Sequence, residues 1–163
     1  MKQTIIHLFD LQIIYLKKLV ENIPENRLYE KQLEGFNSAG WLLGHICVEA
    51  DDIFDHLNTP YNKLDPKWYD WFKNSSGKVS ALENLPSKAD LLNVLDERYN
   101  LLSISYLQLS DKEQNSNHPS KMLRDVFPSV DSWFAHHLTT HIAIHCGNIA
   151  VWKKILGIEV NGF

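Results

Sequence analysis

Ala135-His136-His137-Leu138-Thr139-Thr140-His141-Ile142-Ala143-Ile144-His145-Cys146-Gly147-Asn148-Ile149 is the stretch whose periodicity orders the rest of the chain. His137, His141 and His145 recur at steps of four. Residues four apart on an α-helix lie on one side, one turn above the other. Two imidazoles spaced this way reach one metal ion. The outer two of the three lie about 12 Å apart along the axis at about 1.5 Å per residue, so one ion takes a pair and not the trio.

The apolar neighbours indicate which pair. Phe134, Leu138, His141, His145, Asn148, Trp152 and Ile155 follow one another by three or four residues, the step pattern of an inward stripe in a helix bundle. His145 sits near the centre of that stripe with His141 beside it, and His137 falls toward its margin. Stacked on an inner stripe, each imidazole brings a polar nitrogen that must find a partner. Spacing alone leaves two readings open, a pair of satisfied core histidines or a metal-ligating pair.

The chain has 163 residues, expected to form a single domain over 1–163 with a sizeable core. The net charge is −4 and no Lys/Arg stripe forms, which argues against nucleic acid as the main partner. The first ten residues, Met1 to Asp10, carry too short an apolar run for a signal peptide. No stretch approaches the roughly 20 apolar residues of a membrane span, so no membrane partner is expected and a cytoplasmic protein is. Cys47 and Cys146 are the only cysteines and form no Cys-x-x-Cys, so no disulfide framework is expected. Both read as small buried hydrophobes.

Taken in order, Thr4 can cap a first helix running to about Asn22, with Ile6, Phe9, Ile13, Leu16 and Val20 on one face and Pro24 beyond its end. Asn37 or Ser38 caps a second helix, Ala39 to about Leu57, with Leu43, Ile46, Ala50, Ile53 and Leu57 as its stripe. His45 lies off that stripe, on a side with Trp41, Val48, Glu49 and Asp52. This helix is apolar over much of its first half, and one explanation is two buried faces, one toward the bundle and one toward another subunit. Asp65-Pro66 starts a short helix to about Lys73 that carries Trp68, Tyr69, Trp71 and Phe72, either a plug for the bundle end or a lid over a pocket. Asn74-Ser75-Ser76-Gly77 reads as a flexible turn.

Ser87 and Asp90 form a short capping box for a third long helix, with Leu92, Leu95, Tyr99, Leu102, Tyr106 and Leu109 in register. Ser110 to Pro128 reads as a long polar loop of the kind found over binding sites. A fourth long helix begins near Asp131 and stops at Gly157. With no strand-like alternation, the fold class is all-α, a four-helix bundle with a short aromatic-rich helix between helices 2 and 3. Ferritin-like di-iron chemistry needs Glu-x-x-His pairs, and no histidine here has a glutamate three residues before it.

These pieces resemble the DinB/YfiT-like superfamily. Asn37-Ser38-Ala39-Gly40-Trp41-Leu42-Leu43-Gly44-His45-Ile46 is similar to its second-helix signature. His141-Ile142-Ala143-Ile144-His145-Cys146-Gly147-Asn148-Ile149 resembles its fourth-helix signature, and Trp152 to Gly157 its closing segment. The resemblance implies a divalent metal held by His45, His141 and His145, with zinc or nickel the expected ion. It takes His45 out of its own plainest reading, an edge histidine. Asn148 stands where the family usually has glutamine, which shortens a polar arm just past the metal.

Three imidazoles leave a divalent ion with an open position, as in catalytic zinc sites. Water there ionises near neutral pH, and a thiolate can bind directly. The resemblance therefore implies a transferase or hydrolase that activates a low-molecular-weight thiol or water for a small-molecule substrate. The alternative is a non-catalytic bundle that binds metal or a small ligand. Glu49, one turn after His45, and His137 are the candidates for further roles in the pocket. Family members are often homodimers, so a homodimer is expected.

Overall fold

The computed structural model describes residues 2–31, 35–73 and 83–161. The expected turn at Asn74 to Gly77 lies outside them. Among the described residues seven α-helical segments predominate: α1 (Lys2–Glu21), α2 (Ala39–Leu57), α3 (Pro66–Phe72), α4 (Lys88–Gln108), α5 (Asp111–Gln114), α6 (Val130–Ala135) and α7 (Ile142–Ile155). Between α6 and α7 lies a π-helical turn, His136–His141. The junction residues Ala135, His136, His141 and Ile142 all keep right-handed helical dihedrals, so α6, the π turn and α7 form one rod. Among the described residues there is no strand, only an isolated bridge between Asn117 and Ser129.

Named contacts set the direction of each rod. Cys47 meets the Leu91 carbonyl and Asp51 meets Arg98, so α2 and α4 run parallel. Lys17 pairs with Asp96, while Lys2 reaches the Leu107 carbonyl, so α1 and α4 are antiparallel. Lys153 reaches Leu19 and Asn22 at the C-terminal end of α1, and the π turn packs earlier on α1, so the last rod runs parallel to α1. The result is an up-down-down-up four-helix bundle with α3 laid against α2.

Helix ends follow their side chains. The Ser38 hydroxyl accepts from the Trp41 amide and fixes the start of α2, and Asn58 ends it in the left-handed region. Ser87 with Asp90 forms a capping box on α4, as does Ser129 with Ser132 on α6. Helix α1 starts at Lys2, so Thr4 lies inside it and is not its cap.

The core is the inner faces of the four rods: Phe9, Ile13 and Leu16; Leu43, Ile46 and Ile53; Leu95, Leu102 and Tyr106; Phe134, Leu138 and Ile149. Ile155, assigned to the inner stripe of the last helix, is exposed. That rod has a second buried side, Ile142, Cys146, Ile149 and Lys153, toward α1. The second apolar face of α2 is covered within the chain. Tyr29 lies over Gly40 and Phe72 over Gly44, so close that a Cβ at either glycine would come within 2.5 Å of the ring. The long loop after α4 is ordered into α5 and a 3₁₀ turn, Lys121–Leu123, because Ser110 and Glu113 form a further capping box.

One buried ion pair ties α2 to α4. Arg98 Nε donates to Asp51 at 2.8 Å and Arg98 also donates to the Asn62 carbonyl at 2.8 Å. Tyr69 donates to the other oxygen of Asp51. Burial pushes the Asp51 carboxyl up, against the Tyr69 hydrogen bond and Arg98. No helix of the described residues is long and apolar enough to cross a membrane.

Candidate metal centre

His45 projects from the middle of α2, His141 from the end of the π turn and His145 from the first turn of α7. The bundle brings these three together. One ring nitrogen from each lies within 4.8 Å of the others. His141 and His145 point their Nε2 atoms at each other across 2.9 Å. At metal–nitrogen bonds of about 2.0–2.1 Å, two nitrogens on one tetrahedral ion stand about 3.3 Å apart, within a few tenths of an ångström of the spacing here. The His45 ring stands edge-on to both, with centroids 5.5 Å from His141 and 5.1 Å from His145.

The second nitrogen of each ring shows how it is held. His45 Nδ1 meets the Phe72 carbonyl at 2.9 Å, a contact that requires a proton on Nδ1 and leaves a lone pair on Nε2. Trp41 stacks on the other side of His45, with centroids 4.8 Å apart and planes 12° from parallel. Trp41 in turn donates its indole N–H to the Trp71 carbonyl at 3.0 Å. His145 Nδ1 is buried without a partner among the described residues.

The local electrostatics keep the His141 and His145 rings neutral. Burial pushes the His145 pKa down to about 4, helped by His45. His141 lies below its usual value for the same reason, with His145 the next cause. Neutral imidazole is the form that binds metal. Three imidazole nitrogen donors fit a borderline divalent ion.

The DinB superfamily profile matches residues 8–149. The chain belongs to the DinB superfamily. No curated protein matches it. Two solved structures share the fold with this DinB chain, one a protein from Streptococcus pneumoniae and the other an uncharacterised protein from Clostridium difficile 630. Each is 20% identical, with a TM-score of 0.64 and 95% of this chain covered. The match spans 91% of the first protein and 96% of the second.

The other candidates of this DinB chain fall around the triad. Glu49 Oε1 is 4.0 Å from His45 Nδ1, farther than the Phe72 carbonyl, and burial raises its carboxyl pKa. His137 does not join the triad; its ring lies 5.1 Å from His141 and burial takes its pKa down to about 3. Glu49, His137 and His141 border a cavity of ≈ 20 Å³, room for one water, whose other walls include Ile46, Leu102 and Phe9. Asn148, one turn beyond His145, opens onto a wider cleft of ≈ 240 Å³ with Gly35, Phe36, Asn37 and Leu42.

Both cysteines are buried and free. Burial pushes the Cys146 thiol up to about 12 and Cys47 higher still, so neither is a nucleophile at neutral pH. Sequence reasoning missed the Phe72 carbonyl, because a backbone acceptor has no residue signature. It noted Trp41 on the His45 side of α2 without its stacking role.

Proposed function

We propose that this protein is a metal-dependent enzyme that acts on a small-molecule substrate, with a divalent ion held by His45, His141 and His145. The observation that carries this reading is the 2.9 Å approach of two otherwise unpartnered Nε2 atoms beside a third imidazole whose Nδ1–H is already committed. A bound zinc or nickel ion would supply the Lewis acidity that ionises a water or a small thiol near neutral pH.

The chain's own residues do the rest. The triad would fix the position of the ion, and imidazole ligands, which add no negative charge, would leave it a net positive charge that favours an anionic nucleophile. The nucleophile comes from outside, because Cys47 and Cys146 are buried protonated thiols. The cleft at Asn37 and Asn148 offers amide donors and acceptors to a substrate one turn from the ion. Transfer to a low-molecular-weight thiol and hydrolysis are the two reactions this arrangement supports. A homodimer, as the family resemblance implies, is part of this reading.

Elemental analysis of untagged protein is the direct test. About one ion per chain is expected, with loss of the ion in His45→Ala and His145→Ala. Wild-type protein without metal, or metal retained in both variants, overturns the assignment. A metal-binding protein inert to thiols and hydrolysable substrates favours the second reading, a non-catalytic binding bundle, for which the water-sized cavity at Glu49 speaks.

A further inference from the structure

Helix α3 is short and dense with aromatic residues, and its C-terminal end meets the metal centre with unusual economy. The last carbonyls of any helix lack intrahelical partners. In α3 two successive ones, Trp71 and Phe72, accept from ring N–H groups one turn apart on α2. Those rings are Trp41 and His45, which also stack on each other. Two neighbouring acceptors on one helix are thus matched to two neighbouring donors on another.

The register of this match rests on Gly44. The fully buried Phe72 ring lies directly on it, and a Cβ there would come 2.5 Å from Phe72 Cγ. Any side chain at position 44 pushes Phe72 outward and takes its carbonyl away from His45. Tyr69 on Asp51 and Lys73 on Asp52 anchor the same helix further along α2. Glu49 also faces His45 Nδ1, but at 4.0 Å it leaves the proton to the carbonyl at 2.9 Å.

We propose that α3 is a working part of the metal centre: the Phe72 carbonyl, seated by Gly44, holds His45 as its Nδ1–H tautomer and presents Nε2 to the ion, with Trp41 keeping the ring plane. Gly44 and Trp41 are positioning residues. The proposal rests on the reading of the three histidines as ligands. It deepens that reading by making metal affinity depend on a helix that contributes no side-chain ligand. Linkage makes the dependence mutual, so the ion tightens the docking of α3 by the same factor. Partners that orient a ligating histidine are typically worth 10–100-fold in affinity.

The test uses the metal-free full chain, wild type and Gly44→Ala, with Zn²⁺ as the probe. Three quantities are read: the His45 tautomer by two-bond ¹H–¹⁵N correlation, Zn²⁺ affinity by competition with a chromophoric chelator, and amide exchange in α3 with and without Zn²⁺. Wild type is expected to show the Nδ1–H tautomer without metal and slower exchange in α3 with it. Gly44→Ala is expected to lose the tautomer signature and about 10–100-fold in affinity. Should that variant fail to fold, Trp41→Phe keeps the stacked ring, removes the donor to Trp71 and is expected to cost about fivefold, one hydrogen bond's worth.

Unchanged affinity in a folded Gly44→Ala, or weaker affinity with an unchanged tautomer, overturns the role of α3. So does Trp41→Phe with wild-type affinity. Wild-type protein that binds no Zn²⁺ overturns the metal reading itself, a separate outcome.

Discussion

Replacing Arg98 by Met tests how the bundle that carries the triad is held. Arg98 is 1% exposed and its guanidinium meets Asp51 at 2.8 and 3.4 Å, together with the Asn62 carbonyl. Methionine fills much of the same space, so little cavity cost is expected. The loss is electrostatic: Asp51, 1% exposed, keeps only Tyr69 as a partner. Removing one member of a buried pair costs about 3–5 kcal/mol. For a chain of this size that lowers Tm by about 6–20 °C, at about 2–4 °C per kcal/mol. The cost has a pH signature. Arg98 and Tyr69 oppose the upward push of burial on the Asp51 carboxyl, and without Arg98 it rises further. A carboxyl raised above its unfolded value loses stability as pH rises, so the variant's deficit is larger at pH 7 than at pH 5, by up to about 1.4 kcal/mol per unit. Urea unfolding of the metal-free protein, with the slope m checked for constancy, reads both effects. Adding Asp51→Leu should recover much of the loss, since the stranded charge goes with it. A deficit under about 1 kcal/mol at pH 7 would falsify the view that this pair locks α2 to α4.

Zinc at 100 times its dissociation constant should stabilise the protein by about 2.7 kcal/mol, a Tm rise of about 5–11 °C; His141→Ala should show no rise in a thermal scan with and without chelator. The metal-free protein should lose stability as pH falls from about 6.5 toward 4. His137 and His145 titrate in the fold only near 3 and 4, while the unfolded chain takes up protons first. Each contributes up to about 1.4 kcal/mol per pH unit in that window, and a flat stability profile there would sink the argument. Lys153→Met strands the Leu19 carbonyl and Asn22 amide oxygen that the buried amine now satisfies, and should cost about 1–3 kcal/mol in urea unfolding. A neutral result would mean that water replaces the amine.

The helices were legible because their signals are local. Ser38, Ser87 and Asp65-Pro66 mark starts that caps enforce, and the stripes on α1, α2 and α4 recur with the helical period. What escaped reading depends on contacts between distant segments. Arg98 is a charged residue in a core position, and only Asp51 on another helix explains it. The second apolar face of α2 looked like a subunit interface because sequence cannot show Phe72 folding onto Gly44. His141 and His145 were visible as a pair from spacing. His45 was visible only through the family resemblance, since what brings it to them is the antiparallel approach of α2 and α7.

The π-helical turn at His136–His141 divides the last rod into two frames. The Thr139 hydroxyl, bonded back to the Ala135 carbonyl, sits inside it and competes for a backbone acceptor. Such turns amount to one extra residue in an α-helix and cluster at functional sites. Trp133 and Phe134 are packed in the first frame, His145 and Trp152 in the second. Deleting a single residue from the turn would leave a more regular helix and an uninterrupted bond ladder. It would also rotate everything downstream by about 100° relative to Phe134. His145 would then swing out of the bundle, and Ile149 and Trp152 would leave the core with it. Regularity and chemistry are in conflict along this rod. A stabilising redesign that smooths the helix would lose the triad, whereas one that keeps the length of the turn is free to change its threonines.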